Sequence, residues 1–158
     1  MTGKEKMIRY IVTGCDGKLG GRTAELMLKE VAPTDLIFTY PFWDRLDPVK
    51  RERWESLGVK VCQANYDSVE ERTQAFAGGD RIYIVSAVTI GEIRVQQHKN
   101  VVDAATAAGV KHSTYTSFLG ASDPAYAHVY VCSRICHARP YRNRDLYPQA
   151  ARGNRRFL

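Results

Sequence analysis

No run of about eighteen consecutive apolar residues occurs in this chain, so no transmembrane helix is expected, since spanning a bilayer takes roughly 20. The start, Met1-Thr2-Gly3-Lys4-Glu5-Lys6, lacks the apolar stretch and cleavage site of a secretory signal. A cytoplasmic protein without a membrane partner is the expectation. Cysteine is sparse: Cys15, Cys62, Cys132 and Cys136 do not form a disulfide framework of the small secreted kind, and reduced thiols are expected. Lysine is missing altogether from residues 127–158, which hold seven arginines and a single acid, Asp145. The chain's net charge of +6 therefore sits in this tail, while residues 1–126 are balanced, with 16 basic and 16 acidic side chains. A high isoelectric point would otherwise suggest an acidic partner. Here no recognition fold surrounds the arginines, so a solvated basic tail is expected in preference to a nucleic-acid site.

What is present is an alternation of short β-rich runs with helical patterns. Residues 8–13 form an apolar, β-branched run that ends at Gly14. Leu19, Thr23, Leu26, Met27 and Val31 then recur near helical spacing. Further strands are expected at 36–40, 59–64, 81–86 and 110–116, with helices between them: a charged one through Trp54, one from Ser68 to about Phe76, and one from Arg94 to Ala108. Ser68 has the look of an N-cap with Glu70 and Glu71 in the first turn, and Gly109 of a C-cap. Five strands alternating with four helices imply right-handed crossovers and a parallel sheet. The expected fold is α/β, a Rossmann-type doubly wound sheet of about five strands in the order 3-2-1-4-5. Two regions follow: a dinucleotide-binding domain over 1–126 and a basic, irregular tail over 127–158.

The chemistry lies in Thr13-Gly14-Cys15-Asp16-Gly17-Lys18-Leu19-Gly20. Glycines three apart, after a strand and opening a helix, meet three needs. One allows the tight turn, one lets a pyrophosphate reach the backbone, and one lets the helix pack against the strand, while the helix N-terminus supplies free N–H donors. Gly14, Cys15, Gly17, Lys18, Leu19 and Gly20 are thus the candidate cofactor-binding loop. Cys15 at a helix N-terminus invites a reactive-thiol reading, against a small side chain tolerated beside the phosphates. Strand two ends without an acid to hold ribose hydroxyls. Arg45 in the following loop is a candidate for a 2′-phosphate, which favours NADP (NADPH) over NAD.

Several stretches together resemble the NmrA-like atypical short-chain dehydrogenases, among them the NAD(P)H-dependent quinone reductases of that group. They are the glycine loop; Gly58-Val59 with Val61 and Gln63-Ala64-Asn65-Tyr66; Gln97-His98 with Asn100-Val101-Val102-Asp103-Ala104-Ala105; Ala108-Gly109-Val110-Lys111; and Tyr115-Thr116-Ser117. The match runs from about Met7 to Tyr126. The resemblance implies that Asn65 sits near the adenine, and that Ser86 and Ala87 lie along the ribose and nicotinamide side. Thr116 and Ser117 would face the nicotinamide as catalytic candidates. Ser117 is equally at home as a cap or turn residue, and a lone helical His98 is more often a packing residue than a base.

The resemblance also implies an NAD(P)H-dependent reductase acting on a quinone or carbonyl, the particular small-molecule substrate being unassigned. The alternative is a non-catalytic NAD(P)-binding redox sensor, and a tail-driven nucleic-acid binder ranks third. Members of the family are longer, continuing with a C-terminal substrate lobe, so the chain reads as truncated on that side. A Tyr-x-x-x-Lys pair is absent; Tyr130-Val131-Cys132-Ser133-Arg134 is the nearest approach. The Arg-rich tail is what an out-of-frame reading of a GC-rich gene gives, so a frameshift, retained intron or gene-model error is its expected origin. His128, Cys132 and Cys136 match no standard zinc spacing, and no metal is expected. Loss of the neighbour beyond strand five would open an apolar sheet edge with Phe118 and Leu119 nearby, so self-association through that edge is expected.

Overall fold

The computed structural model describes residues 7–117 and residue 125. Five parallel strands, β1 (Tyr10–Val12), β2 (Leu36–Tyr40), β3 (Lys60–Gln63), β4 (Arg81–Ile84) and β5 (His112–Tyr115), lie in the order β3-β2-β1-β4-β5. Every adjacent pair is parallel, for example Ile11 opposite Ile37 and Ile82. The helices are α1 (Lys18–Glu30), α2 (Pro48–Ser56), α3 (Val69–Phe76) and α4 (Gly91–Ala107), and one 3₁₀ turn, Pro33–Asp35, precedes β2.

Strand side chains alternate between faces, and each face is buried, as a parallel sheet requires. On one face Ile11, Ile37, Ile82 and Ile84 pack with Phe76 of α3 and Val101, Ala104 and Ala105 of α4. On the other, Val12, Leu36, Phe38 and Tyr40 pack with Ala24 of α1 and Trp54 of α2. Trp54 meets Phe38 edge to face at 4.9 Å and donates its indole N–H to Glu25 Oε1 at 3.0 Å. A buried aromatic of this kind costs about 3–5 kcal/mol to truncate to alanine.

The expected order is observed, the strands being a residue or two shorter at several ends, and three differences bear on the site. Helix α1 buries Gly20, Gly21 and Ala24, while Leu19 and Leu26, assigned to its core face from their spacing, are exposed. The reason is contact distance: a Cβ on Gly20 would stand 2.1 Å from Gly14 O, so only small residues let this helix approach the turn. Helix α4 begins at Gly91, ahead of the expected Arg94, and its N-cap, Ile90, makes no side-chain cap that could mark the start in the sequence. Strand β4 ends at Ile84 and not Ser86, because residues 85–87 leave the sheet to be held by side chains. Among the described residues β3 and β5 are the sheet edges. Edge strand β5 is polar, with His112 and Thr114 exposed. The tail 127–158, the zinc spacing, Tyr130 and the Phe118-Leu119 pair lie outside the described residues.

Candidate functional site

Parallel strands deliver their carboxyl ends to one edge, and four loops converge there. They enclose a cleft of about 290 Å³ lined by Gly14, Asp16, Gly17, Pro41, Phe42, Arg45, Asn65, Tyr66, Gln97 and the run Val85–Thr89. A larger hollow of about 540 Å³, bordered by Arg9, Asp80 and Lys111, lies at the amino ends of the strands. Ligands of open α/β sheets sit outside the carboxyl ends, at the point where strand order reverses. That is the first cleft, beside β1 and between β2 and β4.

At one end the glycine loop turns sharply. Gly14 has φ +66°, a left-handed conformation costly for any residue with a Cβ. Gly17 N–H donates to Gly14 O at 3.0 Å, and the helix ladder opens with Gly21 N–H on Gly17 O at 2.9 Å. The first-turn amides of Lys18, Leu19 and Gly20 therefore have no partner within the helix. Together with the dipole they make an anion seat. A Cβ on Gly17 would meet only Gly14 O, at 3.4 Å, so the space in front of it is open. Among the lining residues Arg45 is the one cation and Asp16 the one acid.

At the other end, the amides of Val85, Ser86 and Ala87 at the start of the loop after β4 are tied to three different elements. Val85 N–H donates to Thr13 Oγ1 at 2.9 Å, and Tyr66 Oη donates to Val85 O at 3.1 Å. Ser86 N–H donates to Thr116 Oγ1 at 2.8 Å, and Ala87 N–H donates to His98 Nε2 at 2.9 Å. Ser86 Oγ in turn donates to Thr116 O at 2.8 Å and lies 3.1 Å from Thr116 Oγ1, closing a ring of bonds. The amides of Val85, Ser86 and Ala87 are therefore already engaged within the fold. This end suits a flat, weakly polar ring.

Helix α4 pins the neighbouring loop as well. Asn100 donates to Tyr66 O at 3.1 Å, and Gln97 donates to Asp67 at 3.0 Å while accepting from Thr89 at 2.7 Å. Beneath them the buried guanidinium of Arg72 donates to Ala64 O and Asn65 O at 3.0 and 2.8 Å and lies 3.8 Å from the Tyr66 ring centroid. Burial lowers the pKa of Arg72 from the usual guanidinium value and raises that of Tyr66 above the usual phenol range.

The NmrA-like family model matches residues 6–131, most of the chain. This chain belongs to the NmrA-like family. Quinone oxidoreductase 2 of Escherichia coli is 34% identical to it over 110 residues, 70% of this chain and 36% of that protein. The NmrA-like oxidoreductase flvB of Aspergillus flavus is 30% identical over 114 residues, 70% of this chain and 35% of that one. The chain thus spans about a third of the length of these curated relatives. Among solved structures, Citrobacter sp. triphenylmethane reductase complexed with NADP(H) is similar at TM-score 0.70 and 28% identity, over 82% of this chain and 45% of that one. The NADPH-dependent quinone oxidoreductase of E. coli complexed with NADPH is similar at TM-score 0.69 and 28% identity, over 82% and 44%.

In this NmrA-like chain Gly14, Gly17, Arg45, Asn65, Ser86 and Ala87 come together on the cleft. Gly20 lies behind the loop at the helix contact. Leu19 is exposed on α1, and neither it nor Lys18 lines the cleft. Cys15 departs from its assignment as a cofactor contact. Its side chain is fully buried, its thiol donates to Val12 O at 3.2 Å, and its amide donates to Thr39 O at 3.0 Å. Burial pushes the thiol well above its ordinary pKa, so the reactive-thiol alternative has no support in this geometry. Thr116 and Ser117, the catalytic candidates, do not line the described cleft. The Thr116 hydroxyl is engaged by Ser86, and Ser117 is exposed at the end of β5.

Reasoning from sequence missed Arg72, Tyr66 and Gln97. The sequence alone weighs His98 as a packing residue against a base, and gives Gln97 and Asn100 only as part of a family-like stretch. Their spacing along α4, which puts neighbours on different sides of one helix, was the signal that they serve two loops.

Proposed function

We propose that the cleft binds NADPH and that this chain carries the cofactor half of an NAD(P)H-dependent reductase, with a quinone or carbonyl as substrate. The observation that supports this most is the cleft's division into an anion seat at the α1 N-terminus and an end at the loop after β4 where the amides of Val85, Ser86 and Ala87 are already engaged. A dinucleotide has that same division, with a pyrophosphate at its centre and a flat ring at one end. The open space before Gly17 accommodates the phosphates, and similar reductases are solved with NADP(H). Arg45 lies 5.1 Å from the Phe42 ring centroid at the cleft mouth, where a guanidinium accepts a 2′-phosphate. NADPH is therefore preferred to NADH. The cofactor supplies the hydride; the chain binds and orients it.

The test is a titration of the purified chain with NADPH and NADH, following emission from Trp43, which is 57% exposed beside this loop. Saturable quenching, tighter for NADPH, followed by NADPH oxidation on adding a quinone, is expected. Absence of binding to a chain folded by circular dichroism overturns the proposal.

A second reading, a non-catalytic NAD(P)-binding redox sensor, draws on the ring between Ser86 and Thr116. With those hydroxyls engaged on each other and Tyr66 Oη donating to Val85 O, the described cleft presents no hydroxyl proton to a substrate. Tight binding without oxidation by any quinone or carbonyl favours this reading.

A further inference from the structure

We propose that His98 is a positioning residue for the cofactor: held by Tyr115 as the tautomer protonated at Nδ1, it accepts Ala87 N–H at Nε2 and so sets the shape of the loop that receives the nicotinamide half of NADPH. This role presupposes the cleft's function as an NADPH site.

The geometry leaves little choice of proton position. Ala87 N–H can only donate, so the Nε2 atom 2.9 Å away must be the bare nitrogen of the ring. A neutral imidazole then carries its proton on Nδ1, which faces Tyr115 Oη at 3.2 Å. The two rings meet edge to face at 5.3 Å. His98 is fully buried on α4. It thereby joins three parts of the fold: the helix that carries it, the loop after β4, and the end of β5.

Protonation would set an Nε2–H against the Ala87 N–H and push the loop away. The surroundings oppose it. Burial, Arg94 on α4 and Arg72 on α3 together pull the imidazole down to about 4, and Tyr115 on β5 faces its Nδ1. His98 is therefore neutral over the whole range in which the cofactor is handled. A leucine here would fill space and leave the Ala87 N–H unpaired. A glutamine would return an oxygen acceptor to the Nε2 position.

The experiment has two parts on the intact chain. Nitrogen-15 spectra of the imidazole should show Nδ1 protonated and Nε2 bare, unchanged from pH 8 to about pH 5. A proton on Nε2 in this range overturns the proposal. NADPH titrations of the wild type, His98→Leu, His98→Gln and Tyr115→Phe form the second part. His98→Leu should weaken NADPH about tenfold, the usual consequence of a buried donor left unpaired. His98→Gln should recover most of that loss, and Tyr115→Phe should weaken binding while raising the fraction of the other tautomer.

Equal weakening by His98→Gln and His98→Leu, or no weakening by either, refutes the positioning role even where the wild type binds. A wild type that does not bind NADPH refutes the cleft's assignment first and the role with it, whatever the tautomer. Should His98→Leu fail to fold, the wild-type spectra and the His98→Gln titration still decide.

Discussion

Two neighbouring glycines separate folding from binding. Gly17 has φ −85° and ψ 170°, open to any residue, and a methyl there would meet Gly14 O at 3.4 Å, an ordinary contact. Gly17→Ala should therefore leave the fold intact while placing a carbon where a phosphate must approach the backbone. Gly20 is different. A methyl there would stand 2.1 Å from Gly14 O, 2.6 Å from Gly14 C and 2.7 Å from Thr13 O. All three are backbone atoms that cannot rotate away, and carbon contacts settle at about 3.5–4.0 Å. Helix α1 must retreat by more than about 1 Å, at the roughly 1–3 kcal/mol typical of overpacking, offset by about 1 kcal/mol of helix propensity. A net loss of up to about 2 kcal/mol lowers Tm by up to about 8 °C in a domain of this size. The retreat also carries the Lys18–Gly20 amides away from the anion seat. Thermal melts and NADPH titrations of both variants provide the check. Gly17→Ala should melt within about 2 °C of the wild type and bind NADPH at least about tenfold more weakly, and Gly20→Ala should lose both stability and binding. A Gly17→Ala chain that binds NADPH as the wild type does would refute the phosphate assignment.

Three further outcomes follow from the geometry. Arg45→Ala should weaken NADPH about tenfold, as for a lost charge-assisted bond, and leave NADH nearly unchanged, a difference readable in paired titrations. His98, with its folded pKa depressed to about 4 against an ordinary 6.5, binds its proton more readily in the unfolded chain. Stability is full above pH 6.5 and falls as pH drops toward 4, by about 3 kcal/mol in all and about 2 kcal/mol by pH 5. Urea denaturation at pH 7.5 and 5 should show this slope in the wild type and a shallower one in His98→Gln; equal slopes contradict the assignment. Cys15, buried and with its thiol pKa raised, should resist alkylation in the native chain and react in urea. Peptide mapping that finds Cys15 labelled without denaturant would contradict its placement in the core.

Strand order and the glycine turn were legible because each rests on a local signal repeated along the chain. β-rich runs alternate with helical spacing, and a turn of three glycines has one common use at the head of such an alternation. The N-cap at Ser68, whose hydroxyl accepts Glu71 N–H at 3.2 Å, was legible for the same reason. The buried face of α1 was not. Hydrophobicity pointed to Leu19 and Leu26, whereas closeness to the turn selected Gly20, Gly21 and Ala24, and distance is not written in composition. The clamp around the loop after β4 was hidden because its partners, Thr13, Tyr66, His98 and Thr116, are far apart in the chain and ordinary one at a time. Cys15 was misplaced because a residue inside a binding loop can still turn its side chain inward.

That clamp bears on redesign. The path of residues 85–87 is dictated by four side chains that belong to other elements, and Ser86 and Thr89 add side-chain bonds of their own. Val88 is 89% exposed, and Ile90, just beyond, is 84% exposed. These two positions form an interchangeable fascia on a rigid mount. Libraries at Val88 and Ile90 can vary what a docking molecule meets while the backbone that seats the cofactor keeps its shape.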